Sequence, residues 1–387
     1  MQIPVRLAVL LRPRVAPGVL LAVGFTHLVL TATPFLLDLV AEVYDVGLAT
    51  AALITTTQLG GFAAGSWGAG RWLRPSRRVF LVALLLAVSV NAISAFLPPF
   101  AVLLGLRLVS GLSIGLITWF AWVQVFGDNK GMSNVAVIGP VVGIAASPVI
   151  AGFALAGGAS AVFGFLAALA VVPLAVIGGT GAADAVPPRS QRSSPVPAAV
   201  VLLIALGLFT LGGSSIFQYA VVIGTGDVGL STGTVAALFS LNAVVSIPAS
   251  VWPWSRGIPS PWMVLTAVCA LLVTVGGGPV AFAIGVGLWG FGFWMAVPAA
   301  FAALAARSAH PSDRAGDAQA IMSVGRVFGP LLGGLVIDAL GVEWLGVLGA
   351  GTMLVAAGTV FAVRAAVAPR RRQLPGTVPG DDSPAES

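Results

Sequence analysis

With 58% hydrophobic and 8% charged residues among 387, the sequence excludes an ordinary soluble domain, in which about 25% of residues are charged. A bilayer core about 30 Å thick takes roughly 20 apolar residues per helix, so the chain has room for about twelve crossings joined by short loops. The sequence shows no run of short alternating segments, which excludes a transmembrane β-barrel.

The first apolar run, 17–40, carries His27, Thr31, Pro34 and Asp38 at spacings of four, three and four, hence on one helix face. His27 is placed near mid-membrane and Asp38 near the outer end. Either this face lines a central cavity, with His27 or Asp38 changing protonation, or Asp38 is a solvated rim residue and His27 a packing residue. The run is long enough to span and no small-residue cleavage site follows it, so no cleaved signal peptide is expected. The second run, 48–69, contains Gln58, a further cavity candidate, and leads into a loop bearing Arg71, Arg74, Arg77 and Arg78.

The third run, 79–97, holds Asn91. The fourth, 99–126, contains Arg107-x-x-x-Gly111-x-x-x-Gly115, followed by Trp119, Phe120 and Trp122. A charge in hydrocarbon costs at least about 2.5–3.5 kcal/mol on insertion scales. Arg107 is therefore expected to face the cavity or a buried charge, with a carboxylate of the first crossing as its partner. The fifth run, 133–155, contains Gly139-Pro140-Val141-Val142-Gly143, and the sixth covers 159–180. Proline removes a backbone hydrogen bond and glycine admits a close neighbour, so this segment is either a rocking pivot or a static kink that improves packing.

A Pro-, Ser- and Arg-rich stretch, 181–198, reads as a cytoplasmic linker between an N-terminal six-helix bundle, 1–180, and a C-terminal one, 199–367. A disordered tail, 368–387, follows. The seventh run, 199–222, offers Thr210, Ser214 and Gln218 as a polar stripe. The eighth is 232–252. The ninth, 261–276, contains the single cysteine, Cys269, which reads as filler. The tenth, 279–305, contains Trp289, Phe291, Phe293 and Trp294, which either line a pocket for a hydrophobic solute or serve as packing. The eleventh, 318–340, contains Gly325-Arg326-Val327-Phe328-Gly329-Pro330-Leu331-Leu332-Gly333, and the twelfth is 343–363. Arg326 suits either an anionic substrate, whose carboxylate or phosphate a guanidinium grips in two places, or a structural partner. His27 and His310 sit in no metal-spacing motif and no catalytic constellation is visible, so neither a cofactor nor an enzyme activity is expected.

With a cytoplasmic amino terminus, the placed lysines and arginines fall in cytoplasmic segments, whereas Glu42, Asp45, Asp227 and Glu343 fall on the other side. The net charge of +6 is thus topology rather than nucleic-acid binding, with both termini inside a plasma (inner) membrane. Two sequence pairs recur at similar offsets. Asp45-Val46-Gly47-Leu48-Ala49-Thr50 returns as Asp227-Val228-Gly229-Leu230-Ser231-Thr232, and Gly139-Pro140 as Gly329-Pro330. Six crossings on each side of the linker make the halves parallel repeats.

On these motifs the chain resembles the major facilitator superfamily, in particular its bacterial 12-helix drug and metabolite efflux branch. The loop Gly68-Ala69-Gly70-Arg71-Trp72-Leu73-Arg74-Pro75-Ser76-Arg77-Arg78 is similar to the family's G-x-L-x-D-R-x-G-R-R, without its aspartate. The segment 325–334 matches G-x-x-x-G-P-x-x-G-G. The resemblance implies an all-α fold of twelve transmembrane helices in two parallel bundles. It implies secondary transport of a small anionic or hydrophobic solute by alternating access, with proton-coupled efflux (antiport) as the leading form and a monomer in the lipid bilayer. A uniporter or importer of an anionic metabolite is the alternative within transport, and a transporter-like sensor or membrane-embedded enzyme the alternative outside it.

Overall fold

The computed structural model describes residues 16–125, 129–176, 195–251, 258–307 and 311–367. Most of the linker expected at 181–198, His310, and the tail expected at 368–387 lie outside them. Helix is the only regular structure among the described residues, as hydrocarbon requires, because a helix satisfies each backbone N–H and C=O within its own segment. Among the described residues, nine helices are long and apolar enough to cross a membrane. One of them, Asn129–Ala175, breaks at Gly157 and Gly158, where Gly158 takes φ 59° in the left-handed region that glycine tolerates. It therefore supplies the fifth and sixth crossings. Leu53–Trp72, preceded by the short helix Leu48–Ala51, forms the second, and Pro259–Thr274 the ninth. The chain is a multi-pass membrane protein, and its described residues supply the twelve expected crossings.

The remaining crossings are Pro17–Tyr44 (first), Arg77–Ser94 (third), Phe100–Val125 (fourth), Thr232–Val251 (eighth), Pro279–Ala305 (tenth), Pro311–Leu340 (eleventh) and Val342–Val367 (twelfth). The first, seventh, ninth and tenth begin with proline, whose fixed φ suits a first turn and whose missing N–H would have no partner there. Ser76 caps the third by accepting from the Val79 N–H at 3.3 Å. The seventh departs from the expected continuous 199–222. Pro197–Phe217 stops at Gln218 and Tyr219, and a short helix, Ala220–Thr225, completes the crossing.

Packing repeats between the halves. The first crossing lies on the fifth as the seventh lies on the eleventh, and the second lies on the fourth as the eighth lies on the tenth. The third meets the fourth and sixth as the ninth meets the tenth and twelfth. The halves touch where the second crossing meets the eleventh and where the fifth meets the eighth. These two contacts exchange under the repeat, as an axis along the membrane normal demands. The repeated loop sequences do not share a backbone, however. Gly47 is extended at φ −65° beside a left-handed Asp45, whereas Gly229 itself takes φ 73°.

Helix order puts Arg71, Arg74, Arg77 and Arg78 on one face of the molecule, here termed the basic face. Glu42, Asp45, Asp227, Asp338 and Glu343 lie on the opposite, acidic face.

Candidate functional site

The two intramembrane arginines are housed differently. Arg107, 1% exposed, is enclosed by the third, fourth and sixth crossings. Its Nη1 and Nη2 both donate to Asn91 Oδ1 at 3.2 Å, Nη2 also donates to Ser94 Oγ at 2.7 Å, and the guanidinium lies 4.5 Å from the Phe163 ring centroid. Asn91 and Ser94 are oriented by their own bonds to Ala87 O and Val90 O. Arg107 therefore faces neither an open cavity nor a carboxylate of the first crossing. It sits inside the N-terminal half, where neutral acceptors and a ring face take up its charge. Asn91 and Ser94, three residues apart on one face of the third crossing, are the only sequence signal for these partners.

Gln58 also leaves the cavity. It is 3% exposed, with Nε2 donating to Thr33 Oγ1 at 3.4 Å, and it is packed among the first, second and fourth crossings. The glycines Gly111 and Gly115 belong to the same packing. A Cβ on Gly111 would strike the Gln58 carbonyl, one on Gly115 would strike Phe62 O at 2.5 Å, and Gly61 and Gly65 meet the fourth crossing's backbone in return. Four interlocked glycines bring two helices to backbone contact. Trp119 stands at the basic end of this pair, its Nε1 3.7 Å from where a Gly70 Cβ would lie. The loop arginines Arg71, Arg74, Arg77 and Arg78 are exposed, with Arg71 4.3 Å above the Trp67 ring.

At mid-membrane the first crossing presents His27, half-buried, with its ring flat against Gly139. A Cβ there would lie 2.7 Å from His27 Cε1. Thr31 turns away to donate to the His27 carbonyl at 2.9 Å, and Asp38, on the same face, is exposed. Pro140 follows Gly139 inside the helix, and one turn on Gly143 faces Ala243 of the other half, its would-be Cβ 3.1 Å from the alanine methyl. The fifth crossing thus supports His27 and also touches the opposite bundle.

The eleventh crossing is the repeat counterpart of the fifth. Gly325, Gly329 and Gly333 lie against the backbone of the seventh crossing at Gly207, Leu211 and Ser215, and Pro330 O accepts from Tyr219 Oη at 2.6 Å. Gly329 meets Ser214 as Gly139 meets His27, so Ser214 and His27 hold equivalent positions. Gln218 ends the long part of the seventh crossing with Oε1 buried and unpaired. Trp294 is half-buried, edge-on to Phe293 at 6.1 Å. Arg326, half-buried at the centre of the eleventh crossing, has no hydrogen bond and no carboxylate within 4 Å among the described residues.

Two sets of contacts close the space between the halves on the acidic side. Phe35 of the first crossing meets Phe239 of the eighth at 5.8 Å, and Phe239 meets Phe217, which meets Trp289 in turn at 5.5 Å. Beyond them Asp338, which the sequence reading passed over, accepts from the Ala49 N–H at 3.0 Å, joining the eleventh crossing to the start of the second. The candidate site is therefore the mid-membrane region between the bundles. His27 on Gly139 forms one wall, Ser214 and Arg326 the other, and the aromatic row its acidic-side ceiling.

No protein-family model and no curated protein sequence matches the chain. Solved structures do. A bacterial homologue of the human lysosomal transporter Spinster, inward-facing and occupied, aligns over 94% of this chain and 97% of its own, with a TM-score of 0.68 at 13% identity. The nucleoside transporter NupG aligns over 89% and 98%, with a TM-score of 0.66 at 14% identity. The human organic anion transporter MFSD10 aligns over 89% and 97%, with a TM-score of 0.62 at 18% identity. At these identities the likeness is one of fold, and it covers both halves.

Proposed function

The chain has the fold of the major facilitator superfamily, and from that premise we propose that it is a secondary active transporter. It carries a small solute across a plasma membrane by rocking the 1–180 bundle against the 199–367 bundle, with both termini on the cytoplasmic side. The observation that carries this reading is the inter-bundle contact pattern. Like bundles meet through a repeated pair of helix contacts, and the Phe35–Phe239 and Asp338–Ala49 contacts join them on the acidic side. Such an interface can open on either face while the mid-membrane site stays in place.

We assign the coupling ion as the proton and the direction as export. His27 is the group placed to carry the proton. It is held at mid-membrane on the fifth-crossing glycine of the Gly-Pro motif, and an imidazole can exist with or without its second proton. Arg107, locked to Asn91 and Ser94, has a structural role, and Asp38 is a rim residue. In proteoliposomes, an imposed pH difference should drive solute against its gradient and His27→Gln should abolish that uphill movement. Downhill flux indifferent to the pH difference would replace antiport by the second reading, a uniporter or importer. Arg107's lack of a carboxylate partner favours that second reading, because it removes the arginine–carboxylate pair through which a proton could be coupled. No flux under either condition would favour a sensor built on the transporter fold.

A further inference from the structure

Arg326 lies deep in the span. It is nine residues past Asp317 and fourteen before Leu340, which mark the ends of the apolar segment. At 1.5 Å per residue these separations are about 13 Å and 21 Å, too far for the side chain to reach either surface readily. Its direction follows from its neighbours. Val324, Phe328, Leu332 and Leu335 are each roughly half exposed and form the apolar row of this helix that meets lipid. At about 100° per residue, Val324 and Phe328 lie about 160° around the helix from Arg326. Gly325, Gly329 and Gly333 mark the flank on the seventh crossing, and Gly334, which meets Tyr219 at the bend of the seventh and also Ala49 at the entry to the second, marks where the second crossing packs on this helix. Arg326 falls between these flanks, and the second crossing belongs to the other half. The guanidinium is thereby aimed into the space between the bundles.

Arg107 shows how this protein neutralises an intramembrane arginine that serves structure: two side-chain acceptors, an aromatic face and full burial. Arg326 has none of these among the described residues. An intramembrane cation whose donors are left free in a mid-membrane cleft needs an acceptor from outside the chain. We infer that Arg326 is the anion-binding residue of the site and that the substrate is a small organic anion. Its carboxylate or phosphate is gripped by the guanidinium, and its apolar body lies toward Phe217, Phe239 and Trp289 on the acidic side. Two parallel N–H donors match two oxyanion oxygens, which a lysine ammonium cannot reproduce. The inference rests on the transporter reading for the word substrate, whereas the binding site itself does not require transport.

The test is ligand-induced thermal stabilisation of the purified full-length protein in detergent, using matched probes: benzoate with benzamide, hexanoate with hexanamide, phenyl phosphate with phenol, and a short-chain phosphatidate. A ligand that binds only the folded state raises the melting temperature by an amount that grows with the logarithm of its concentration relative to its Kd. At least one anion is expected to stabilise the wild type, with its neutral partner at least tenfold weaker. Arg326→Gln should remove the stabilisation, and Arg326→Lys should retain it with about tenfold weaker affinity. The lysine variant keeps the test valid if the glutamine variant fails to fold. Stabilisation by phosphatidate alone identifies a lipid headgroup as the source of the anion. The inference is overturned if neutral probes stabilise as well as anions, if Arg326→Gln responds like the wild type, or if no anion stabilises at its solubility limit. Anion binding without flux in proteoliposomes would reject transport and leave the site standing.

Discussion

A guanidinium buried as Arg107 is must find its acceptors inside the protein, since water is absent and each unpaired donor is costly. Asn91, Ser94 and the Phe163 ring supply them for the two terminal nitrogens, while Nε stays buried without a hydrogen-bond partner. Arg107→Ala should consequently act on stability first. It opens a cavity between three helices and strands two polar side chains, a loss of about 2–4 kcal/mol, read as a lower melting temperature and poorer yield. Normal stability with transport abolished would show that the residue acts in coupling instead. Gly139 offers a sharper test of His27. A methyl group there collides with the imidazole, so Gly139→Ala should impair pH-driven transport and downhill flux while insertion is retained, and in a His27→Ala background, where the ring is gone, it should cause no further loss of downhill flux. If the two losses instead multiply, the contact is not functional. That Arg107 is intramembrane was legible from sequence. Its partners were not, because Asn91 and Ser94 sit on a different helix and look like ordinary helix-binding amides and hydroxyls.

Between helices, spacing alone could not say whether four-spaced glycines form a pivot or a seam. Gly61, Gly65, Gly111 and Gly115 prove to be a seam inside one bundle, where the backbones of the second and fourth crossings touch. Backbone cannot swing aside as a side chain can, so Gly111→Ala, which puts a methyl group into the Gln58 carbonyl, should prevent close packing. Little folded protein is expected, and fluorescence-detected size exclusion measures it. A monodisperse, normally melting variant would mean that the helices can separate at small cost. Gly143 differs, because it faces Ala243 across the two halves and so lies on the surface that would slide in the proposed rocking motion. The break of the seventh crossing at Gln218–Tyr219 was not visible in an unbroken apolar run. Tyr219 donating to the Pro330 carbonyl fixes that bend through a residue on another helix.

For the molecule as a whole, the loop at 68–78 lacks the aspartate of the motif it resembles, whereas a carboxylate does bridge the halves on the acidic face through Asp338 and Ala49. Removing it should favour the state open on that face. On a Cys269→Ser background, spin labels at Val43→Cys and Leu340→Cys, both exposed sites at the acidic ends of the two halves, should report a population at longer distance in Asp338→Ala. Asn at 338 keeps an acceptor and should shift it less, and an unchanged distribution would remove the latch. The membrane class, the number of crossings, their order and the duplication were determined by sequence alone. Hydrocarbon forces every segment to satisfy its backbone within itself, and that requirement writes length and apolarity locally into the chain. Side-chain polar groups have no such local solution. Whether Arg107 is locked, Arg326 is left free or Asp338 reaches a residue 289 positions away was decided only by which helices the tertiary structure set side by side.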